Sequence, residues 1–203
     1  RREIKIKEQD PYSGTKIKAS KRFINRRGFF ESVDIKEVPS KDKPNYLDVE
    51  VTVEEKPTGY FSIQGGYSSV EALLLGVQIQ ENNLWGYGKQ LGASITVGTV
   101  SQNFLIDYGD PYFLDTSYQF KMSLFKRAYE YIDYDREKWG GTLMFGKELN
   151  TWTFADVRYR FENIQVDDLT TEATEVFQES KDKISSISLG MRYDTRDNFL
   201  DPT

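Results

Sequence analysis

From residue 59 to the end of the chain, apolar and polar side chains alternate with a period of two, while helical spacing is confined to a short stretch near the start. That stretch, about Thr15 to Arg27, is built of good helix formers with Ile17, Phe23 and Ile24 on or near one face, and Gly28 stands where a helix C-cap belongs. Before it, Asp10-Pro11-Tyr12-Ser13-Gly14 is turn chemistry. After it, Phe30, Val33, Ile35 and Val38 predict a strand, Ser40 to Pro44 a polar turn, and Leu47, Val49, Val51 and Val53 a second strand that alternates with Asp48, Glu50, Thr52 and Glu54. Helix, strand, turn and strand in so few residues predict a small α+β module. The opening residues Arg1-Arg2-Glu3-Ile4 read as the middle of a helix, so the chain is expected to be cut from something longer.

Beyond Pro57 eight segments show the period of a strand. Apolar positions recur at Phe61-Ile63-Gly65-Tyr67, Leu73-Leu75-Val77-Ile79, Leu91-Ala93-Ile95-Val97 and Phe104-Ile106-Tyr108. They continue at Tyr118-Phe120-Met122-Leu124, Trp139-Leu143-Phe145, Ala155-Val157-Tyr159-Phe161 and Ile187-Leu189-Met191-Tyr193. Most segments have about the 9–11 residues that a tilted strand needs to cross a bilayer. The intervening positions are mainly Gly, Ser, Thr and Gln, with Lys121, Arg158, Arg160 and Arg192 among them. An apolar outer face and a small or charged inner face is the pattern of a large membrane barrel, whose lumen is wet; a soluble ligand-binding barrel reverses it. The fold class expected is therefore mainly β, a partial α+β module followed by about eight antiparallel strands of a transmembrane β-barrel. The domains expected are 1–57 and 58–203.

The connections support this reading. If the first strand rises from the side of the α+β module, upper connections fall near Ser68–Glu71, Thr99–Asn103, Arg127–Glu137 and Gln165–Ser185. The lower ones fall near Asn82–Lys89, Gly109–Ser117 and Glu148–Thr151. The last two upper connections are the longest and most charged, as loops facing the cell exterior should be. Trp85, Tyr87, Tyr112, Phe113 and Trp152 gather at the lower turns and Tyr129, Tyr131 and Tyr134 near an upper one, which places aromatic girdles at both membrane interfaces.

Composition removes competing chemistries. The 203 residues contain neither Cys nor His, so thiolate nucleophiles, disulfides, zinc–thiolate sites and histidine-based triads are impossible within this chain. The longest apolar run, Ala72 to Leu75, is far below the length of a spanning helix. The charge of −5 is unevenly divided: residues 1–57 carry +3 and the remainder −8, which marks a boundary near Lys56-Pro57. The basic run Lys16 to Arg27 reads as a solvated helix face; no aromatic platform accompanies it, and no nucleic-acid partner is expected. Gly86-x-Gly88-x-x-x-Gly92 has the spacing of a weak phosphate loop but lies between two strands. Asp133, Asp135 and Glu137 alternate as calcium ligands sometimes do, with a solvated loop the expected reading and no metal assigned. No catalytic residue and no cofactor is expected.

Several of these stretches resemble one family. Arg26-Arg27-Gly28-Phe29-Phe30-Glu31-Ser32-Val33 and Val49 to Pro57 resemble the end of a POTRA domain and its hinge into a barrel. Gly65-Gly66-Tyr67-Ser68-Ser69 resembles the first hairpin of BamA-like outer-membrane assembly factors, and Asn82 to Gly88 and Asp110-Pro111-Tyr112-Phe113 resemble their first two periplasmic turns. Tyr193 to Asn198 with Asp201-Pro202-Thr203 resembles a later strand and turn. The resemblance implies an outer-membrane location with the POTRA part in the periplasm, a barrel of about sixteen strands, and a role without enzymatic chemistry. That role is folding and inserting other barrel proteins, with unfolded outer-membrane β-barrel proteins, membrane lipid and accessory lipoproteins as partners. A TamA-like or two-partner secretion transporter of the same superfamily is the alternative. In this reading Gly59, Tyr60, Phe61, Ser62, Ile63, Gln64, Gly65, Gly66 and Tyr67 form a weakly closed first strand that pairs with client strands by β-augmentation. The same glycines would equally serve barrel curvature.

Overall fold

In the computed structural model, which describes residues 3–40, 43, 45–150, 152–170 and 178–195, Ser13 begins the one α-helix seen among the described residues. Its Oγ accepts the backbone N–H of Lys16 at 3.4 Å, and helix α1 runs Gly14–Arg26. Gly28 ends it in the left-handed region (φ +72°), its N–H reaching Asn25 O at 3.1 Å. Ile17, Ser20 and Ile24 form the buried stripe of the helix, and with Val33 on the next strand they make the core of this unit. Strands β1 (Phe30–Pro39) and β2 (Leu47–Glu55) pair antiparallel, with Val33 opposite Val53 and Ile35 opposite Val51. The helical reading of the opening residues is corrected where they are described: Glu3 lies in a turn and Ile4 to Lys7 have no regular structure. The N–H of Lys5 donates to Ser20 Oγ at 2.8 Å, a tertiary bond that takes the place of a helical one.

The chain divides into two compact units, Arg1–Thr58 and Gly59–Thr203. The second is a single eight-stranded sheet in which every strand pairs antiparallel with its sequence neighbours. Its strands are β3 (Gly59–Ser68), β4 (Ala72–Leu84), β5 (Lys89–Gly98), β6 (Ser101–Asp110), β7 (Tyr118–Glu130), β8 (Asp135–Asn150), β9 (Thr153–Asp167) and β10 (Ser180–Tyr193). All eight segments read from the alternation are strands. Short connections explain the meander, since tightly linked strands pair with each other.

The later strands are longer than expected, and two upper loops are correspondingly shorter. Arg127–Glu137 is mostly ladder: Arg127 pairs with Lys138 and Glu130 with Asp135, leaving only Tyr131–Tyr134 as the turn. Strand β8 has 16 residues and β9 has 15. Charged side chains alternate here as well, and Lys126 Nζ meets Glu137 Oε2 at 2.9 Å across the pair. Charged side chains therefore do not end the ladder here. Likewise Gln165–Ser185 is strand up to Asp167 and again from Ser180, with residues 171–177 outside the described set. The family-like residues Arg196, Asp197, Asn198, Asp201, Pro202 and Thr203, and Thr151 of a lower turn, also lie outside it.

Gly86 (φ +76°) and Gly88 (φ +70°) shape the tight turn between β4 and β5, and a strand follows, so the weak phosphate-loop spacing has no helix terminus to serve. Among the described residues no three acidic side chains gather as a metal site would require. Asp133 is in the turn, and Glu137 is paired with Lys126.

Candidate functional site

The ladder registers put most of the large apolar residues of all eight strands on one face. Rows such as Ile63–Val77–Ile95–Phe104 run straight across the first four strands. These side chains stay in the open: Ile63 is 72%, Ile79 58%, Ile106 49% and Leu189 82% exposed. A soluble sheet buries such a face against a second layer, and none of the described elements of this unit covers it.

The opposite face is polar, and unevenly so. On β3, β4 and β5 it carries Tyr60, Ser62 and Gln64, then Gln78 and Gln80, then Ser94 and Thr96, with no charge. From β6 onward it becomes ionic. The four basic residues singled out in the sequence share this face: Lys121 pairs with Met144, which pairs with Arg158, and Arg160 and Arg192 follow on the same side. The chain supplies partners for the three arginines. Arg158 lies 3.5 Å from Asp156 and Arg160 3.8 Å from Glu162, which also receives Lys138 at 2.7 Å. Arg192 stacks over Phe154 at 5.5 Å. The polar face also holds apolar bodies. Phe125 lies on Gly140, where a Cβ would come within 3.1 Å of the ring, and Arg127 and Lys138 flank that ring at 5.2 and 5.9 Å. The Lys138–Glu162 pair is set by the β8–β9 register, which alternation within one strand does not show.

The lower aromatics sit at strand ends. Trp85 and Tyr87 project from the β4–β5 turn, 80% and 71% exposed, and Trp152 from the β8–β9 turn. Tyr112 N–H donates to Asp110 Oδ1 at 3.0 Å, so the β6–β7 connection folds back. Phe113 then packs on Phe120 and Phe145 of the apolar face at 5.0 and 5.8 Å. Asp110 also holds Lys89 at 3.1 Å, a part-buried pair that the sequence reading missed because its members are 21 positions apart and meet only through the β5–β6 ladder.

β3 forms one edge of the described sheet and β10 the other, and both are almost wholly exposed. The bonds from β3 to β4 run from Gly59 opposite Glu81 to Ser68 opposite Ala72, and Tyr60 Oη accepts Gln78 Nε2 at 3.1 Å. Gly65 and Gly66 fall opposite Leu75 and Leu74, where they offer no side chain to grip. A Cβ at Gly66 would meet nothing within 4 Å, and one at Gly65 only Leu75 at 3.7 Å, so neither glycine is forced by crowding. Gly59 is tighter, with Glu81 Oε2 at 2.8 Å from a Cβ.

Residues 83–203 match the Omp85 superfamily domain, and residues 1–56 match the POTRA family described as surface antigen variable number repeat. The chain belongs to the Omp85 superfamily. Its 203 residues are similar along their whole length to the outer membrane protein assembly factor BamA of Nitratidesulfovibrio vulgaris, at 25% identity, and cover 26% of that protein. A BamA of Neorickettsia risticii is 33% identical over 57% of the chain, which covers 15% of it. The chain thus spans about a quarter or less of these relatives. Among solved structures, BamA from Haemophilus ducreyi lacking POTRA domains 1–3 superposes with a TM-score of 0.74 at 21% identity, covering 99% of this chain and 42% of that one. CdiB from Acinetobacter baumannii gives 0.55 at 12%, covering 95% and 39%. As an Omp85 protein with a POTRA part, the chain is placed in the outer membrane, with that part in the periplasm. Its eight strands are barrel strands, and its open apolar face is the side that meets lipid.

Proposed function

We propose that this Omp85 chain is part of an assembly factor that folds and inserts β-barrel proteins into the outer membrane, and that β3 is the edge on which client strands are received. The observation that carries the reading is the pair of glycines Gly65 and Gly66 in β3, which fall opposite leucines with no crowding that demands them. In hydrocarbon each unpaired backbone group costs several kcal/mol, so a barrel must close on its last strand. A closing strand that meets glycines gains little from side-chain packing, and the seam is held mainly by backbone hydrogen bonds. A client strand offers the same hydrogen bonds and can exchange for the closing strand without sequence-specific contacts. The resemblance to BamA over the full chain supports this reading.

The roles of the other residues follow. Trp85, Tyr87, Tyr112, Phe113 and Trp152 anchor the barrel at its periplasmic interface, where amphipathic rings are favoured. Lys121, Arg158, Arg160 and Arg192 line the water-filled lumen. The partners are unfolded outer-membrane proteins, lipid and accessory lipoproteins, and the work proceeds without enzymatic chemistry. The test is a disulfide in the full-length protein between Ile63→Cys and a cysteine on the closing strand; this stretch has no cysteine of its own to interfere. Client assembly should stop on oxidation and resume on reduction. Assembly at an unchanged rate with the seam locked would rule the mechanism out.

A transporter of the same superfamily is the second reading, favoured only by the likeness to CdiB, which is lower than that to BamA. A protein with a short run of POTRA modules that secretes one client and leaves barrel assembly untouched would establish it.

A further inference from the structure

The apolar face is not evenly filled. Across its middle runs the row Ile106–Leu124–Gly141–Phe161, and in that row Gly141 alone has no side chain. Its neighbours on the same face of the strand, Trp139 and Leu143, stand on either side, and Trp139 meets Phe161 edge-on at 5.9 Å. The result is a depression of about 570 Å³ on the lipid side of β6 to β9, floored by Gly141 and closed toward one end by Phe104 and Lys126.

We propose that this depression is a binding site for one acyl chain of a bilayer lipid, in the leaflet on the side of the β7–β8 turn. Three observations select hydrocarbon over a protein segment. First, β6 to β9 are interior strands whose backbone groups are already paired on both sides, so no edge is offered to a peptide. Second, the polar groups at the rim have partners: Lys126 is held by Glu137 at 2.9 Å, and Tyr159 Oη accepts Ser185 Oγ at 3.0 Å. A peptide backbone would find nothing to answer its N–H and C=O groups, whereas a hydrocarbon chain needs no answer. Third, Lys126 and Trp139 sit at the end of the depression nearest the charged strand extensions, which is the depth of a lipid headgroup. A chain entering there extends toward Leu143. Because lipid tails are as apolar as the barrel wall, the preference comes from close packing against the concave surface and not from a hydrophobic gain. The site depends on the barrel lying in lipid and not on the seam mechanism, so the two can fail separately.

The experiment uses the full-length protein in phosphatidylethanolamine–phosphatidylglycerol vesicles doped with a phospholipid that carries a diazirine in one acyl chain. After irradiation the adducts are mapped by peptide mass spectrometry. Labelling of the Met122–Lys126, Trp139–Leu143 and Tyr159–Phe161 segments should exceed that of the more exposed Leu73–Ile79 face by about fivefold, a preference on the order of 1 kcal/mol. Gly141→Leu, which fills the floor, should remove the excess while the heat-modifiable gel mobility of a folded barrel persists. Even labelling of the two faces in the wild-type protein overturns the proposal without recourse to any variant, as does an excess that Gly141→Leu leaves intact in a folded barrel.

Discussion

Lys138 Nζ lies 2.7 Å from Glu162 Oε2 across the β8–β9 ladder, on the polar face, with the Glu162 side chain only 9% exposed. The carboxylate has a second cation, Arg160, at 3.8 Å. Glu162→Ala removes the shared acceptor and leaves two cations facing each other. Breaking a largely buried pair costs about 3–5 kcal/mol, and the partial exposure of Lys138 and Arg160 reduces this to roughly 1–3 kcal/mol. The midpoint temperature at which the full-length barrel loses its compact gel mobility should fall. The double variant Lys138→Met/Glu162→Met should fall less than Glu162→Ala alone.

Gly66 gives a direct handle on the first strand. Nothing lies within 4 Å of a Cβ there, so Gly66→Val is accommodated and raises strand propensity by up to ~1 kcal/mol. If β3 must release its partner for clients, assembly of a client barrel in proteoliposomes should slow by up to about fivefold. An unchanged rate would mean that Gly66 serves curvature instead. Gly59→Val is the contrast: its Cβ meets the Glu81 carboxylate at 2.8 Å and Gln80 O at 3.3 Å, and it should destabilise the β3–β4 hairpin.

Ser20 is fully buried, donates to Lys16 O and accepts from Lys5 N–H, both at 2.8 Å. Ser20→Ala leaves the Lys5 N–H without its acceptor, at a cost of about 1–3 kcal/mol. Hydrogen exchange should accelerate at Lys5 and along α1, and barrel amides should be unaffected.

Asp10 supplies a pH prediction outside the membrane. The Lys16 ammonium at 2.8 Å, and after it the backbone N–H of Lys7, hold its carboxyl below the ordinary value of 3.8. A carboxylate depressed in the folded state stabilises above its unfolded pKa, and that contribution is lost as pH falls through the folded value. Carboxyl-carbon NMR titration should show Asp10 moving up toward 3.8 in Lys16→Met. The stability lost in Lys16→Met should be full above about pH 4 and should vanish as the pH falls below it.

Much of this was legible in the residues because each barrel strand faces two solvents. Leu91-Ala93-Ile95-Val97 against Gln90-Gly92-Ser94-Thr96 can be read as a strand without any partner in view. Gly28 marked the end of α1 in the same local way, whereas Ser13, its N-cap, read only as part of a turn. What alternation could not show is where one strand meets the next. The Arg127–Glu137 stretch looked like a loop because its side chains are charged, yet Lys126 and Glu137 find each other across a continuing ladder. Gly141 in sequence is one of a glycine pair. Only the register that sets Leu124 and Phe161 beside it turns it into the floor of a depression. The edge position of β3 follows from its place in the chain, whereas its freedom from crowding at Gly65 and Gly66 required coordinates.

The surplus length of β7 to β9 reaches beyond the bilayer. Sixteen residues at ~3.4 Å each, tilted by about 45°, rise roughly 38 Å, against an apolar band about 25 Å tall. The β7–β8 ladder is therefore longer than the apolar band is tall, and it holds its pairing up to Glu130 and Asp135, so that four residues, Tyr131–Tyr134, suffice to turn the chain where a span cut to the bilayer would have needed a long loop.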